Sequence, residues 1–253
     1  MIGIFDSGVG GLTVLRALRE VLPSADVLYF GDTKNAPYGS RSRQELAELS
    51  MKGLSLLQNR GADNIISACN SVSVSLAVSL FDTFSVKPTQ LIEMVGPTVG
   101  YFKDMEVDIT LCATPATIAS EIYQSGFRMI GKDIHSIAIE RLAGAIEAGE
   151  PDTEIERIIS EAFTGMTWKK NDVLVLGCTH YPLVQSSFRK VLGDDVLLFD
   201  PAYAVAERAE RQFWPQESGN GQTTFITSGD SKQLRSQVER LFPGTEYNIE
   251  QLA

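Results

Sequence analysis

Val173-Leu174-Val175-Leu176-Gly177-Cys178-Thr179-His180 is an apolar run that ends in a cysteine and two hydrogen-bonding residues. An apolar run without alternation reads as a strand buried on both faces, as in a parallel sheet. Asn64-Ile65-Ile66-Ser67-Ala68-Cys69-Asn70-Ser71 repeats the arrangement. In open parallel sheets, ligands bind at the carboxyl ends of the strands. Two cysteines at two such ends therefore point to one cleft, with a thiol on each side and a proton passed between them.

Working outward, strand-like runs recur at Ile2–Phe5, Val27–Phe30, Asn64–Ala68, Gln90–Val95, Asp108–Ala113, Asp172–Leu176, Val196–Phe199 and Thr223–Thr227. Apolar residues at helical spacing lie between most of them. The expected helices are Gly11–Val21, Arg43–Asn59, Val74–Phe84, Ile118–Ser125, Ile134–Ala148, Thr153–Phe163, Pro182–Val191, Ala204–Phe213 and Lys232–Leu241. Alternating strands and helices with short connections predict an α/β fold of parallel sheets wrapped by helices.

A faint repeat divides the chain. Cys69 follows Ser7 by 69 − 7 = 62 positions, and Cys178 follows Thr114 by 178 − 114 = 64. Each half offers a hydroxyl-bearing turn after a strand, then a cysteine-bearing one. The expectation is two similar parallel-sheet α/β domains related by pseudo-twofold symmetry, with the active site in the cleft between them. The first would span 1–89 plus 204–253, completed by the C-terminus, and the second 90–203. The crossing between them is expected in Phe84–Gln90 and the return near Asp200-Pro201.

Composition excludes several classes. The chain has 253 residues, a net charge of −10 and 43% hydrophobic residues, as in an ordinary globular protein. No basic stripe suggests nucleic acid. No apolar run is long enough for a membrane helix, and Met1-Ile2-Gly3-Ile4-Phe5-Asp6 reads as a first strand. Three cysteines, at 69, 112 and 178, are too few for a disulfide scaffold. The expected setting is the cytoplasm, with reduced thiols and no membrane partner.

Asp6-Ser7-Gly8-Val9-Gly10-Gly11-Leu12-Thr13 joins the first strand to the first helix. Its free N–H groups can hold an anion, or the glycines can serve a tight turn. It lacks the last glycine of a dinucleotide fingerprint and the Gly-Lys-Ser/Thr of a Walker loop. Asp6 can bind an ammonium group or orient a base. Free N–H groups after each strand would lower a thiol's pKa. Cys112, within Ile109-Thr110-Leu111-Cys112-Ala113, is expected to be inert packing, and His135 a surface or cap residue. Two cysteines and a histidine without CxxC or HxxxH spacing do not make a zinc site.

Taken in order, IGIFDSGVGGLTVL, YFGDTKNAPYG, ACNS and LGCTHYPLV resemble the motif set of bacterial glutamate racemases, within the aspartate/glutamate racemase family. The resemblance runs from residue 1 to about 183. It implies a cofactor-independent, metal-free racemase that interconverts L- and D-glutamate for peptidoglycan synthesis, and a homodimer. It implies that Cys69 and Cys178 are the two catalytic thiols, the first handling the D-enantiomer's proton and the second the L-enantiomer's. Asp6 and His180 would assist them. Ser7, Pro37, Tyr38, Gly39, Ser40, Asn70, Ser71, Thr114, Thr117 and Thr179 would bind substrate. Since these motifs carry no arginine, neutral donors are expected to hold the anion. Competing readings are a racemase of another acidic amino acid such as aspartate, a non-catalytic amino-acid-binding protein, and a thiol oxidoreductase. The second half departs from the family pattern at Leu91–Pro97, near position 135 and at Phe199–Ala202.

Overall fold

The computed structural model describes residues 1–76, 87–213 and 219–252. The helical pattern expected over 74–84 continues outside the described residues beyond Leu76. So does the start of the crossing expected at Phe84–Gln90.

Among the described residues, ten strands form two fully parallel sheets. The first holds β1 (Ile2–Asp6), β2 (Val27–Gly31), β3 (Asn64–Ser67), β4 (Leu91–Ile92), β9 (Thr223–Thr227) and β10 (Asn248–Gln251). The second holds β5 (Ile109–Ala113), β6 (His135–Ala138), β7 (Val173–Gly177) and β8 (Leu197–Phe199). The molecule is thus built of two parallel-sheet α/β domains. The first sheet runs β10-β9-β2-β1-β3-β4 and the second β6-β5-β7-β8. Within these, β2-β1-β3-β4 and β6-β5-β7-β8 have the same order, so β3 and β7 hold equivalent places.

The spacings seen in the sequence are the strand registers. Phe5 lies opposite Ser67, and 67 − 5 = 62. Ala113 lies opposite Gly177, and 177 − 113 = 64. Carried just past the strand ends, those registers bring Ser7 beside Cys69 and Thr114 beside Cys178.

Each strand buries both faces because successive side chains alternate. Ile2 and Ile4 pack with Val14, Leu15 and Leu18 of α1 (Leu12–Val21). Phe5 points the other way, onto Leu54 and Leu57 of α2 (Arg43–Asn59). In β7, Leu174 and Leu176 face one cluster and Val173 and Val175 the other. Cutting one such side chain to alanine costs about 2–5 kcal/mol. Helix α2 starts where Ser42 and Glu45 cap each other, through Glu45 N–H to Ser42 Oγ at 3.3 Å and Ser42 N–H to Glu45 Oε2 at 2.9 Å.

Several expected elements differ. Ile134–Ala148 is not one helix: His135–Ala138 is the edge strand β6, paired among the described residues only with β5, and α7 begins at Leu142 (Leu142–Ala148). The strand expected at Gln90–Val95 stops at Ile92. Glu93 accepts the Val95 and Gly96 N–H groups at 2.7 and 2.6 Å, turning the chain into α4 (Val95–Tyr101). Ile118–Ser125 is broken at Glu121, whose φ of 55° separates α5 (Pro115–Ala119) from α6 (Ile122–Met129). Of the remaining described helices, α3 is Asn70–Leu76, α8 Asp152–Ala162, α9 Gln185–Leu192, α10 Pro201–Phe213 and α11 Ser231–Leu241. The terminal strand β10 had no counterpart in the sequence pattern.

Candidate active site

The glycine-rich loop after β1 is a contact surface. Asp6 accepts the Gly8 N–H at 2.9 Å, which closes the turn. A Cβ on Gly10 would stand 2.5 Å from Thr179 Oγ1 and 2.6 Å from His180 Nδ1, so only glycine lets this loop meet the loop after β7. Asp6 also accepts the Thr179 hydroxyl at 3.1 Å. The loop does hold an anion, but one from this chain: the Val9 N–H donates to Glu147 Oε2 at 3.3 Å. The tight turn is as expected, and the anion that this loop meets is the chain's own Glu147.

Cys69 follows β3. Its Sγ–H donates to Ser7 Oγ at 3.5 Å, as the register requires. Burial, with the nearby Asp6 charge adding to it, pushes this thiol up to about 12. The strand-end position was expected to lower it, but here desolvation outweighs the local N–H groups. Cys69 is thus a neutral thiol.

Cys178 follows β7, with its Sγ 3.8 Å from His180 Nδ1. His180 Nε2 hydrogen-bonds Glu147 Oε2, and both groups are largely buried. Burial alone would lower the imidazole's pKa. Its bonds to Cys178 and Glu147, together with their charges, overcome that and hold it well above the ordinary histidine value. Burial likewise opposes ionisation of Glu147, but His180 and the Val9 N–H pull that carboxyl below its usual range. Asp6 is raised by burial, partly offset by His180.

Ser71 and Thr114, which line the same cavity as both cysteines, belong to a hydroxyl cluster contributed by both domains. Ser71 Oγ lies 3.0 Å from Thr114 Oγ1 and 3.5 Å from Thr117 Oγ1, and the two threonine hydroxyls are 3.1 Å apart. Tyr123 donates its phenolic proton to Asn70 Oδ1 at 2.5 Å.

These groups enclose a cavity of about 20 Å³ lined by Ser7, Pro37, Tyr38, Gly39, Cys69, Asn70, Ser71, Thr114, Ala143, Cys178, Thr179 and His180. Among the described residues, no lysine or arginine lines it. That volume holds about one water, so the walls must part for anything larger. An adjoining recess of about 300 Å³ shares Pro37, Gly39, Thr114 and Ala143 and is also lined by Glu140, Arg141 and Glu150.

Eleven of the fourteen residues singled out from the sequence line the cavity. Asp6 and Thr117 lie behind the wall, each held by hydrogen bonds to lining residues. Ser40 lines the outer recess instead. Cys112 donates to the Val175 carbonyl at 3.6 Å inside the second sheet, as inert packing would. His135 is exposed on β6. Glu147 was missed. The available signal was a lone acid in the apolar helix Leu142-Ala143-Gly144-Ala145-Ile146-Glu147-Ala148, where a buried carboxylate needs a partner. Among the described residues, no group of three or more histidine, cysteine, aspartate or glutamate side chains is arranged to hold a metal.

A profile of the Asp/Glu/hydantoin racemase family matches residues 12–209. A glutamate racemase from Herpetosiphon aurantiacus is 36% identical over 237 residues, covering 90% of this chain and 92% of that one. The crystal structure of a glutamate racemase isoform from Bacillus anthracis superposes with a TM-score of 0.89 at 27% identity, covering 100% of this chain and 97% of the other. A glutamate racemase from Francisella tularensis, solved in complex with D-glutamate, gives a TM-score of 0.86 at 26% identity, covering 100% and 97%.

Proposed function

The chain belongs to the Asp/Glu/hydantoin racemase family, and from that premise we propose that it interconverts L- and D-glutamate by moving a proton at Cα between Cys69 and Cys178. The observation that carries this reading is that two thiols at equivalent strand ends line one cavity.

Enantiomers have equal free energy, so a racemase needs a base and an acid on opposite faces of Cα, able to exchange roles. One sulfur, as thiolate, takes the α-proton, and the electron pair left on Cα spreads into the adjacent carboxylate. The other thiol then gives its proton to the opposite face. The first sulfur ends protonated and the second as thiolate, and solvent resets them. The L-enantiomer gives its proton to Cys178 and the D-enantiomer to Cys69.

Charge developing on the carboxylate is the main obstacle, and preorganised donors are the usual remedy. Asn70, Ser71, Thr114 and Thr179 supply neutral donors. General acid–base transfer adds roughly 10²–10⁴-fold. His180, held by Glu147, exchanges a proton with Cys178. Asp6, one layer behind, acts on Cys69 through its charge and fixes Thr179. The reaction needs neither metal nor cofactor.

The product D-glutamate serves peptidoglycan synthesis, and the enzyme works in the cytoplasm as a homodimer. Among the described residues, no helix is long and apolar enough to cross a membrane.

Circular dichroism on separate solutions of L- and D-glutamate tests the reaction. Both signals should decay to zero under reducing conditions, while aspartate stays unchanged. Decay of aspartate but not glutamate overturns the substrate. No decay of either favours a binding protein.

A further inference from the structure

Asn70 and Tyr123 lie 53 positions apart and belong to different domains. Asn70 opens α3 directly after Cys69, and Tyr123 lies in α6. Asn70 is 2% exposed and Tyr123 is fully buried. A side-chain amide has an acceptor end and a donor end of nearly equal size, so a pocket's shape alone does not choose between its two orientations. A buried phenol chooses. Burial keeps the Tyr123 hydroxyl protonated, and a phenolic proton without an acceptor is costly there. Thr98, whose hydroxyl donates to the Met94 carbonyl at 2.6 Å, also hydrogen-bonds the phenol, and the Tyr123 proton is given to Asn70 Oδ1 at 2.5 Å.

That choice sends the other end of the amide elsewhere. Asn70 Nδ2 is buried and has no hydrogen-bond partner among the described residues. Asn70 lines the same cavity as Cys69, Thr114 and Cys178. A buried donor without an acceptor, on the wall of a cavity that no described lysine or arginine lines, fits an anionic oxygen of the ligand. With the amide turned over, a carbonyl oxygen would face that anion instead.

We propose that Tyr123 is a positioning residue that locks the Asn70 amide with Nδ2 toward the cavity, so that it donates to a carboxylate of the bound amino acid. The proposal rests on the racemase reading above. Because the bond spans both domains, the donor is set when the two domains are together. The ring of Tyr123 also packs with Val95, Val99, Phe102 and Phe127. Tyr123→Phe keeps that packing and removes only the hydroxyl.

The test is a double-mutant cycle on the full chain, with glutamate as substrate and parent turnover read first. Tyr123→Phe should lower kcat/KM roughly ten-fold, the loss expected for one hydrogen bond. Its melting temperature should stay close to the parent's. Asn70→Ala should lose at least as much, and Tyr123→Phe should add nothing in the Asn70→Ala background. A Tyr123→Phe effect below two-fold, or its full effect in the Asn70→Ala background, overturns the proposal. If Tyr123→Phe does not fold, Asn70→Asp carries the test: it keeps an acceptor for Tyr123 and puts an oxygen where the donor was. Undiminished kcat/KM in Asn70→Asp also overturns the proposal. Absence of turnover in the parent would instead refute the racemase reading, and the same cycle would then be read from calorimetric glutamate affinities.

Discussion

Cys178 and His180, two positions apart on the loop after β7, hold Sγ and Nδ1 3.8 Å apart. The far nitrogen of the imidazole is bonded to Glu147. The histidine thus connects a buried carboxylate to a sulfur on the cavity wall.

Glu147→Gln should reveal that connection. Burial depresses an imidazole's pKa, and the bonds to Cys178 and Glu147 raise it. Without the carboxylate charge, His180 titrates at lower pH. The alkaline limb of the kcat profile should therefore move to lower pH, with kcat at neutral pH falling roughly ten-fold or more, part of what acid–base transfer is worth. The stability linkage has the same origin. A histidine raised by folding stabilises fully below its unfolded value of about 6.5, and the contribution is lost as pH rises through the folded value. The variant should lose the Glu147 share of that pH-dependent stability and keep the share due to Cys178. An unmoved alkaline limb would show that His180 does not titrate in the reaction.

Gly10→Ala should damage activity more than stability. The added Cβ would stand 2.5 Å from Thr179 Oγ1 and 2.6 Å from His180 Nδ1, so the loops must separate. Overpacking of this kind costs about 1–3 kcal/mol. A displacement of about 1 Å at catalytic groups can cost 10²-fold in rate. The expected result is kcat/KM lowered about a hundred-fold with a folded, cooperatively melting protein. Circular dichroism and glutamate turnover on the same sample check both halves.

Asp200→Asn should stabilise the protein only near and above neutrality. Asp200 stands at the start of α10 and accepts the Ala202 N–H at 2.9 Å, a bond that asparagine keeps. Burial raises this carboxyl to about 6, against the opposing Ala202 N–H and Arg16. A raised carboxyl favours the fold below its unfolded value, about 3.9, and that advantage is lost as pH rises through 6. The melting temperature of the variant should match the parent's at pH near 4 and exceed it at pH near 7.5. Carrying that carboxyl from about 3.9 to about 6 corresponds to about 3 kcal/mol, or roughly 6–12 °C for a protein of this size. An equal difference at both pH values would refute the linkage.

What the sequence revealed and what it hid have physical reasons. The cysteine-bearing strands were legible because β3 and β7 are central, buried on both faces and therefore continuously apolar. The 62- and 64-residue spacings were legible because parallel registers fix them. The strand β6 was not, since His135-Ser136-Ile137-Ala138 is an edge strand, half exposed, and its apolar residues also suit a helix. Glu147 was hidden for a related reason. Its partners, His180 and the Val9 N–H, come from loops 33 positions ahead and 138 behind, so the local pattern shows a lone acid in an apolar helix but not what it pairs with. Tyr123 went unmarked in the sequence because its partner is an amide in the other domain, 53 positions away.

The central claim is that the proton leaves Cα to one sulfur and returns from the other. Racemisation of L-glutamate in deuterium oxide, stopped at low conversion and analysed by mass and enantiomer, tests it most directly. The account predicts D-glutamate carrying one deuterium at Cα while the remaining L-glutamate stays unlabelled. It also predicts that Cys69→Ala and Cys178→Ala each abolish the conversion. A D-product that retains the original proton, or a single variant that still racemises, would contradict it.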